Sequence, residues 1–188
     1  KKKYGVETDL HCTKDNKIIC FHDFTLKRKF KINKKIKDSN YSYLKEISTK
    51  NKAEIPLLSH LLKASKKNFP LLLELKPFFS LKNLKKLLFE TEGYKKCALI
   101  SFKEKNIYNL GKLKIKLPLG LSFSSTTKIE TIVLKSKKSY IDFIVLHKTF
   151  LKNKNLSTIS KPIYYYPIPN KKEFAKYRRV KNLIFENL

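Results

Sequence analysis

Short apolar runs alternate along this chain with longer stretches whose apolar residues recur every three or four positions. Seven runs read as strands, near residues 4–12, 71–76, 97–102, 118–123, 141–146, 162–167 and 182–186. Most are apolar at consecutive positions, as in "LLLEL" and "FIVL". A strand that is apolar on both faces must be covered on both faces, and the amphipathic stretches between the runs can supply that cover. "IPLLSHLLKAS", "SLKNLKKLLFETEG", "KEKNIYNLGKL", "TKIETIVLKSKKS" and "NKKEFAKYRRV" read as helices, and "KNKNLSTIS" as a short helical or looped link. In the second of these, Leu81, Leu84, Leu87 and Leu88 share a face, with a serine at the start and a glycine at the end. The pattern predicts parallel strands joined by helices in one domain over residues 1–188. A turn at "KDNK", a small hairpin strand at "KIICFHD" and a lysine-rich loop over residues 24–53 form an insertion at about 13–53.

Seven such strands are one short of an eight-stranded barrel. The chain opens on "KKKYGVETDL", contains no methionine and runs straight into a strand, as a fragment would. The expected fold class is therefore α/β, a (β/α)8 TIM-type barrel lacking its first strand and helix. The main rival is an open doubly wound sheet, but no glycine-rich phosphate loop follows any strand.

The formal net charge is +28, from 43 basic and 15 acidic residues. Only Arg28, Arg178 and Arg179 are arginines, and the other basic residues are lysines. Proteins that read bases or clamp phosphates favour the planar arginine fork, so no specific nucleic-acid partner is expected. A weak attraction to anionic membrane surfaces follows from the charge alone. The apolar runs are too short to span a membrane. Cys12, Cys20 and Cys97 form no C-x-x-C pair and read as buried free thiols, with a Cys12–Cys20 bridge open if the two face each other across the hairpin.

Against this background the stretch "VETDLHCTKDNKIICFHD" stands out. Side chains alternate along a strand, so Glu7 and Asp9 point the same way with Cα atoms roughly 6.6 Å apart. Two carboxylates at that reach can share one hard cation. Glu74 and Lys76 repeat the spacing at the end of another strand, inside an apolar run where an unpaired charge is costly. Residues at the C-terminal ends of barrel strands face one mouth, and three carboxylates meeting there need a compensating positive charge.

The order of these residues resembles the glycerophosphodiester phosphodiesterase family. "GVETDLHCTKDNKIICFHDFTLKR" is similar to its E-x-D pair, its K-D-x turn and its H-D followed by T-L-x-R. "YLKEI" and "IPLLSHLLKA" resemble its short helix and its I-P-T-L segment, "LLLELK" its E-x-K strand, and "LISF" its S-F strand. The resemblance implies that Glu7, Asp9 and Glu74 ligate a divalent cation, magnesium or calcium. It implies that His22 is one of two acid–base histidines and that Lys76 holds the substrate phosphate. The family's other catalytic histidine belongs to a His-Arg-Gly strand that this sequence does not contain. The chain as given is therefore expected to be weakly active or inactive. His11 is expected in the hairpin and His60 on a helix surface. His147 ends a strand and is a weaker site candidate. The family's late Trp-Thr-Val-Asn strand is altered to "YYYPIPN", where Tyr166 or Tyr165 is expected to line the substrate pocket. The expected activity is metal-dependent hydrolysis of a small-molecule glycerophosphodiester to an alcohol and glycerol phosphate. Two alternatives remain: a phosphodiesterase acting on phospholipid head groups at a membrane surface, and a catalytically inactive basic binding protein.

Overall fold

The structure is a computed structural model that describes residues 4–65 and 68–186. It divides into two compact units, Lys1–Ala98 and Leu99–Leu188. The first holds strands β1 (Val6–Cys12), β2 (Ile18–Cys20) and β3 (Leu71–Leu75) in the order β2-β1-β3. Its helices are α1 (Lys27–Phe30), α2 (Tyr41–Lys50), α3 (Leu58–Ser65) and α4 (Leu81–Glu90). β1 and β2 form an antiparallel hairpin in which Leu10 faces Cys20. β1 and β3 run parallel, with Glu7 beside Leu72 and Asp9 beside Glu74. Leu71, Leu73 and Leu75 are buried on one face of β3, which puts Glu74 on the other.

Strand β4 (Cys97–Ser101) leads into the second unit, which continues through α5 (Glu104–Lys112), β5 (Leu119–Phe123), α6 (Ile129–Ser136) and β6 (Phe143–His147). β7 (Ile163–Ile168), α7 (Lys171–Lys176) and β8 (Leu183–Phe185) complete it, in the strand order β4-β5-β6-β7-β8, all parallel. Every residue of β5 is buried. A Cβ at Gly120 would lie 2.4 Å from the Phe143 ring and 2.8 Å from Ile100, so only glycine lets these strands pack as they do. The α/β alternation and all seven expected strands are present, with the hairpin strand as an eighth. No helix among the described residues is long and apolar enough to cross a membrane.

Two local expectations are revised. Residues 24–53 are not a plain loop. They contain α1, α2 and a 3-10 turn, Ile36–Asp38. Leu26, Phe30, Ile36, Leu44 and Ile47 from this segment pack with Ile19, Phe21 and Ile55 into a core of their own. Asp15, in the hairpin turn, accepts from the backbone N–H of Tyr41 at 3.0 Å and so caps α2. On α4, Leu84 and Leu87 are buried together with Asn83, while Leu81 is exposed. Side chains on a helix lean toward its N-terminus, so the first residue's projects past the end rather than over a turn. Ser80 caps that end by accepting from Asn83 N. The three cysteines are free thiols, with no Cys12–Cys20 bridge, and burial pushes Cys12 up to about 12 and Cys20 to about 11.

In the second unit Glu104 collects Lys135 at 2.8 Å, Lys138 and the hydroxyl of Tyr140 at 2.7 Å. Burial works against the charged form, but these three hydrogen bonds outweigh it and hold Glu104 down to about 2. A carboxyl depressed in the fold contributes stability above its unfolded value, and that contribution is lost as pH falls through its folded value. Glu104→Gln should therefore cost roughly 1–2 kcal/mol at pH 7, discounted for solvent screening, and the gap to wild type should close between pH 5 and pH 2 in urea titrations. Leu44→Ala, in the small core, should cost about 2–5 kcal/mol in the same measurement.

Candidate active site

The register of β1 against β3 builds the site. Asp9 and Glu74 are lateral neighbours on one face of a parallel pair, and Glu7 lies two residues before Asp9 on that face. One oxygen from each of the three carboxylates lies within 4.8 Å of the others. Oxygens that bind one hard cation at 2.0–2.6 Å are at most about 4–5 Å apart, so the trio fits such an ion. The donor chemistry also fits, being all carboxylate oxygen with no sulfur or imidazole.

Lys76 follows Glu74 by two residues and stays on the same face. Its ammonium lies 2.7 Å from Asp9 Oδ1 and 3.1 Å from Glu74 Oε1. The second contact is close enough for attraction but off the line of a directed hydrogen bond. Glu74 is 7% exposed, and burial raises its pKa, opposed by the Lys76 charge and reinforced by Asp9. For Lys76 burial pulls downward, but the hydrogen bond to Asp9 and the charges of Glu74 and Asp9 win, and its pKa rises. The lysine is therefore a fixed cation beside the acids.

His22 reaches this region through the hairpin. The N–H of Phe21 donates to the carbonyl of Asp9 at 2.9 Å, so the chain passes beside Asp9 just before His22. The His22 side chain is 65% exposed, and its Nδ1 lies 2.7 Å from Asp23 Oδ1. His11 belongs to the hairpin as expected, on the face of Glu7 and Asp9, but it is fully buried. Its ring lies edge-on to Phe24, and its Nε2 is 3.4 Å from the carbonyl of His22. Desolvation pulls it down to about 4, so it is neutral at physiological pH. His60 is exposed, as expected.

In the second unit, Tyr166 donates its hydroxyl to the carbonyl of Phe123 at 3.2 Å, and its ring meets Phe102 and His147 edge to face. His147 ends β6, and its Nδ1 contacts the hydroxyl of Thr149 at 3.1 Å. In the sequence the H-D and T-L-x-R pieces give Asp23 and Arg28 no role by spacing alone. The structure pairs them: Arg28 Nε donates to Asp23 Oδ2 at 2.7 Å and Nη2 to Oδ1 at 3.1 Å. An isolated arginine among so many lysines was the available signal.

The profile of the glycerophosphoryl diester phosphodiesterase family matches residues 3–167. The chain belongs to this family. Solved structures of glycerophosphodiester phosphodiesterases share its fold. One from Thermotoga maritima is 21% identical, with a TM-score of 0.76 over 96% of this chain and 80% of that one. One from Parabacteroides distasonis is 20% identical, with a TM-score of 0.76 over 97% of this chain and 79% of that one. A phosphodiesterase from Oleispira antarctica, solved with the product sn-glycerol-3-phosphate, is 19% identical, with a TM-score of 0.78 over 97% and 80%. The fold is accordingly the α/β TIM-barrel type expected from the strands. No match is found among curated proteins.

Removing Lys76 tests the electrostatics directly. Without divalent cations, Lys76→Met should lose about 1–3 kcal/mol at pH 7, because two acids then lack their internal cation. A carboxyl raised in the fold favours the folded state below its unfolded value and opposes it above. The deficit should therefore shrink as pH falls and Glu74 takes up a proton, a trend that urea titrations from pH 7 to pH 4 will show.

Proposed function

We propose that the site of this chain serves metal-dependent hydrolysis of a glycerophosphodiester to an alcohol and glycerol phosphate, with magnesium or calcium as the divalent cation, and that the chain as given turns over only weakly because its sequence has no His-Arg-Gly strand to supply the second acid–base histidine. The observation that carries the reading is the convergence of Glu7, Asp9 and Glu74 beside Lys76 in a chain of this family. These three carboxylates would hold the ion, and an ion bound there stabilises charge developing on phosphoryl oxygens. The remaining work falls to side chains. A phosphodiester is anionic, and the Lys76 ammonium offers it a point charge. Lys76 and, on the family resemblance alone, Tyr166 are read as substrate contacts.

Hydrolysis needs a proton taken from the attacking hydroxyl and one given to the departing alkoxide. His22 is read as the group that exchanges one of these protons, because imidazole is the commonest side chain in general acid–base catalysis and this one is open to solvent. The glycerol phosphate bound by the Oleispira antarctica relative supports a small-molecule product of that class.

The test is release of glycerol phosphate from a glycerophosphodiester in the presence of magnesium or calcium. Chelation should abolish turnover, and His22→Ala should lower kcat by about 10²–10⁴-fold. An ion at 100 times its Kd should stabilise the chain by about 2.7 kcal/mol in thermal melts, an effect that Asp9→Asn and Glu74→Gln should remove. Turnover that survives chelation, or that His22→Ala leaves intact, would falsify the reading.

A further inference from the structure

His22 is not a free surface imidazole. Its Nδ1 sits 2.7 Å from one oxygen of Asp23, and a carboxylate can only accept. A neutral imidazole carries its proton on one nitrogen, and the partner of the other decides which. Asp23 is itself held. The Arg28 fork engages both of its oxygens, and the Asp23 side chain is 16% exposed although its two partners are open to solvent. The Arg28 hydrogen bond is the largest influence keeping Asp23 below the usual carboxylate range, ahead of the His22 contact, so Asp23 stays ionised.

The fork is anchored from behind. Arg28 lies on α1, whose Phe30 is buried and stacks on Phe21 at 6.2 Å between ring centres. Phe21 precedes His22, and its N–H is tied to Asp9. The backbone carbonyl of His22 is approached by His11 Nε2 at 3.4 Å. Main chain and ring of His22 are thus constrained by separate contacts. Arginine suits position 28 because lysine, a single point charge, cannot hold both carboxylate oxygens in a plane.

We infer that Asp23 and Arg28 are positioning residues that lock neutral His22 with its proton on Nδ1, leaving Nε2 as the nitrogen that exchanges protons with the substrate. The inference rests on the reading of His22 as the proton-transfer group. When His22 acts as base, the proton of the attacking hydroxyl moves to Nε2 as the new P–O bond forms. The resulting imidazolium, with both nitrogens protonated, faces the Asp23 carboxylate, which stabilises the positive charge. When His22 acts as acid, the same Nε2 proton passes to the departing alkoxide and the Nδ1 proton stays in place.

The test is a long-range proton–nitrogen spectrum of the full chain with ¹⁵N-labelled histidine at alkaline pH, with the His22 signals identified by their loss in His22→Gln. Wild type should show a protonated Nδ1 and an unprotonated Nε2. Asp23→Ala should mix the two tautomers, and Arg28→Gln should do so to a smaller degree. In the glycerophosphodiester assay Asp23→Asn should lower kcat by about 10–100-fold with KM within about threefold, and its circular dichroism should match wild type. A wild-type His22 protonated on Nε2, or a tautomer that Asp23→Ala leaves unchanged, overturns the inference. The wild-type spectrum decides this even if a variant folds poorly. A locked tautomer together with full turnover in His22→Gln would instead overturn the catalytic role of His22 and leave the positioning contacts standing.

Discussion

The parallel pairing of β1 with β3 is the constraint on which the site depends. It places Asp9 directly beside Glu74 and brings Glu7 within reach of both. A slip of one residue would exchange the faces of one strand and drive Glu74 in among the leucines that β3 buries. The apolar face of β3 therefore holds the charged face in register. Two adjacent acids, one of them almost fully buried, would repel without Lys76, which meets both from the position just past the strand that supplies Glu74. Burial of leucine, pairing of strands and neutralisation of charge all require the same alignment.

Much of this was legible in the sequence because strand periodicity is short and strict. An acid at every second position of an apolar strand has one geometric meaning, so Glu7, Asp9, Glu74 and Lys76 could be placed on a common face before any coordinates. His22 was singled out through its motif. The structure brings Glu7, Asp9, Glu74 and Lys76 together within the first unit. The core of residues 24–53 was hidden because its apolar members, Leu26, Phe30, Ile36, Leu44 and Ile47, stand singly among lysines and polar residues. They reach one cluster through short helices and turns, and no single period describes that path. The Asp23–Arg28 pair was hidden for a related reason. A contact across five residues of irregular chain has no signature in spacing, unlike the i, i+4 pair of Lys50 and Glu46 on α2.

The lysine-rich composition gives the few acidic residues distinct duties. Glu104 gathers two lysines and a tyrosine, Glu173 holds Lys148, Asp15 caps α2, and Asp142 accepts the N–H of Leu119 at 2.7 Å. These acids sit at junctions between elements distant in sequence, where a charge-assisted hydrogen bond fixes an angle or an end. The surplus of lysine is largely solvated and says little about a partner. The acids record where the fold is tied.

A further tie involves no acid. Lys86, on α4, donates to the carbonyl of Asn16 at 2.7 Å, and Asn16 sits at the hairpin turn in the left-handed region with φ 57. The hairpin that carries the chain to His22 is thus fastened to the helix that follows Glu74 and Lys76, across 70 residues of sequence. In the language of local unfolding, the hairpin tip cannot swing out without breaking this bond to α4. The arm that leads to His22 and the arm that bears Glu74 and Lys76 are thereby joined through a side chain as well as through strand pairing, and amide exchange in the turn and in α4 reads how far that link couples their opening.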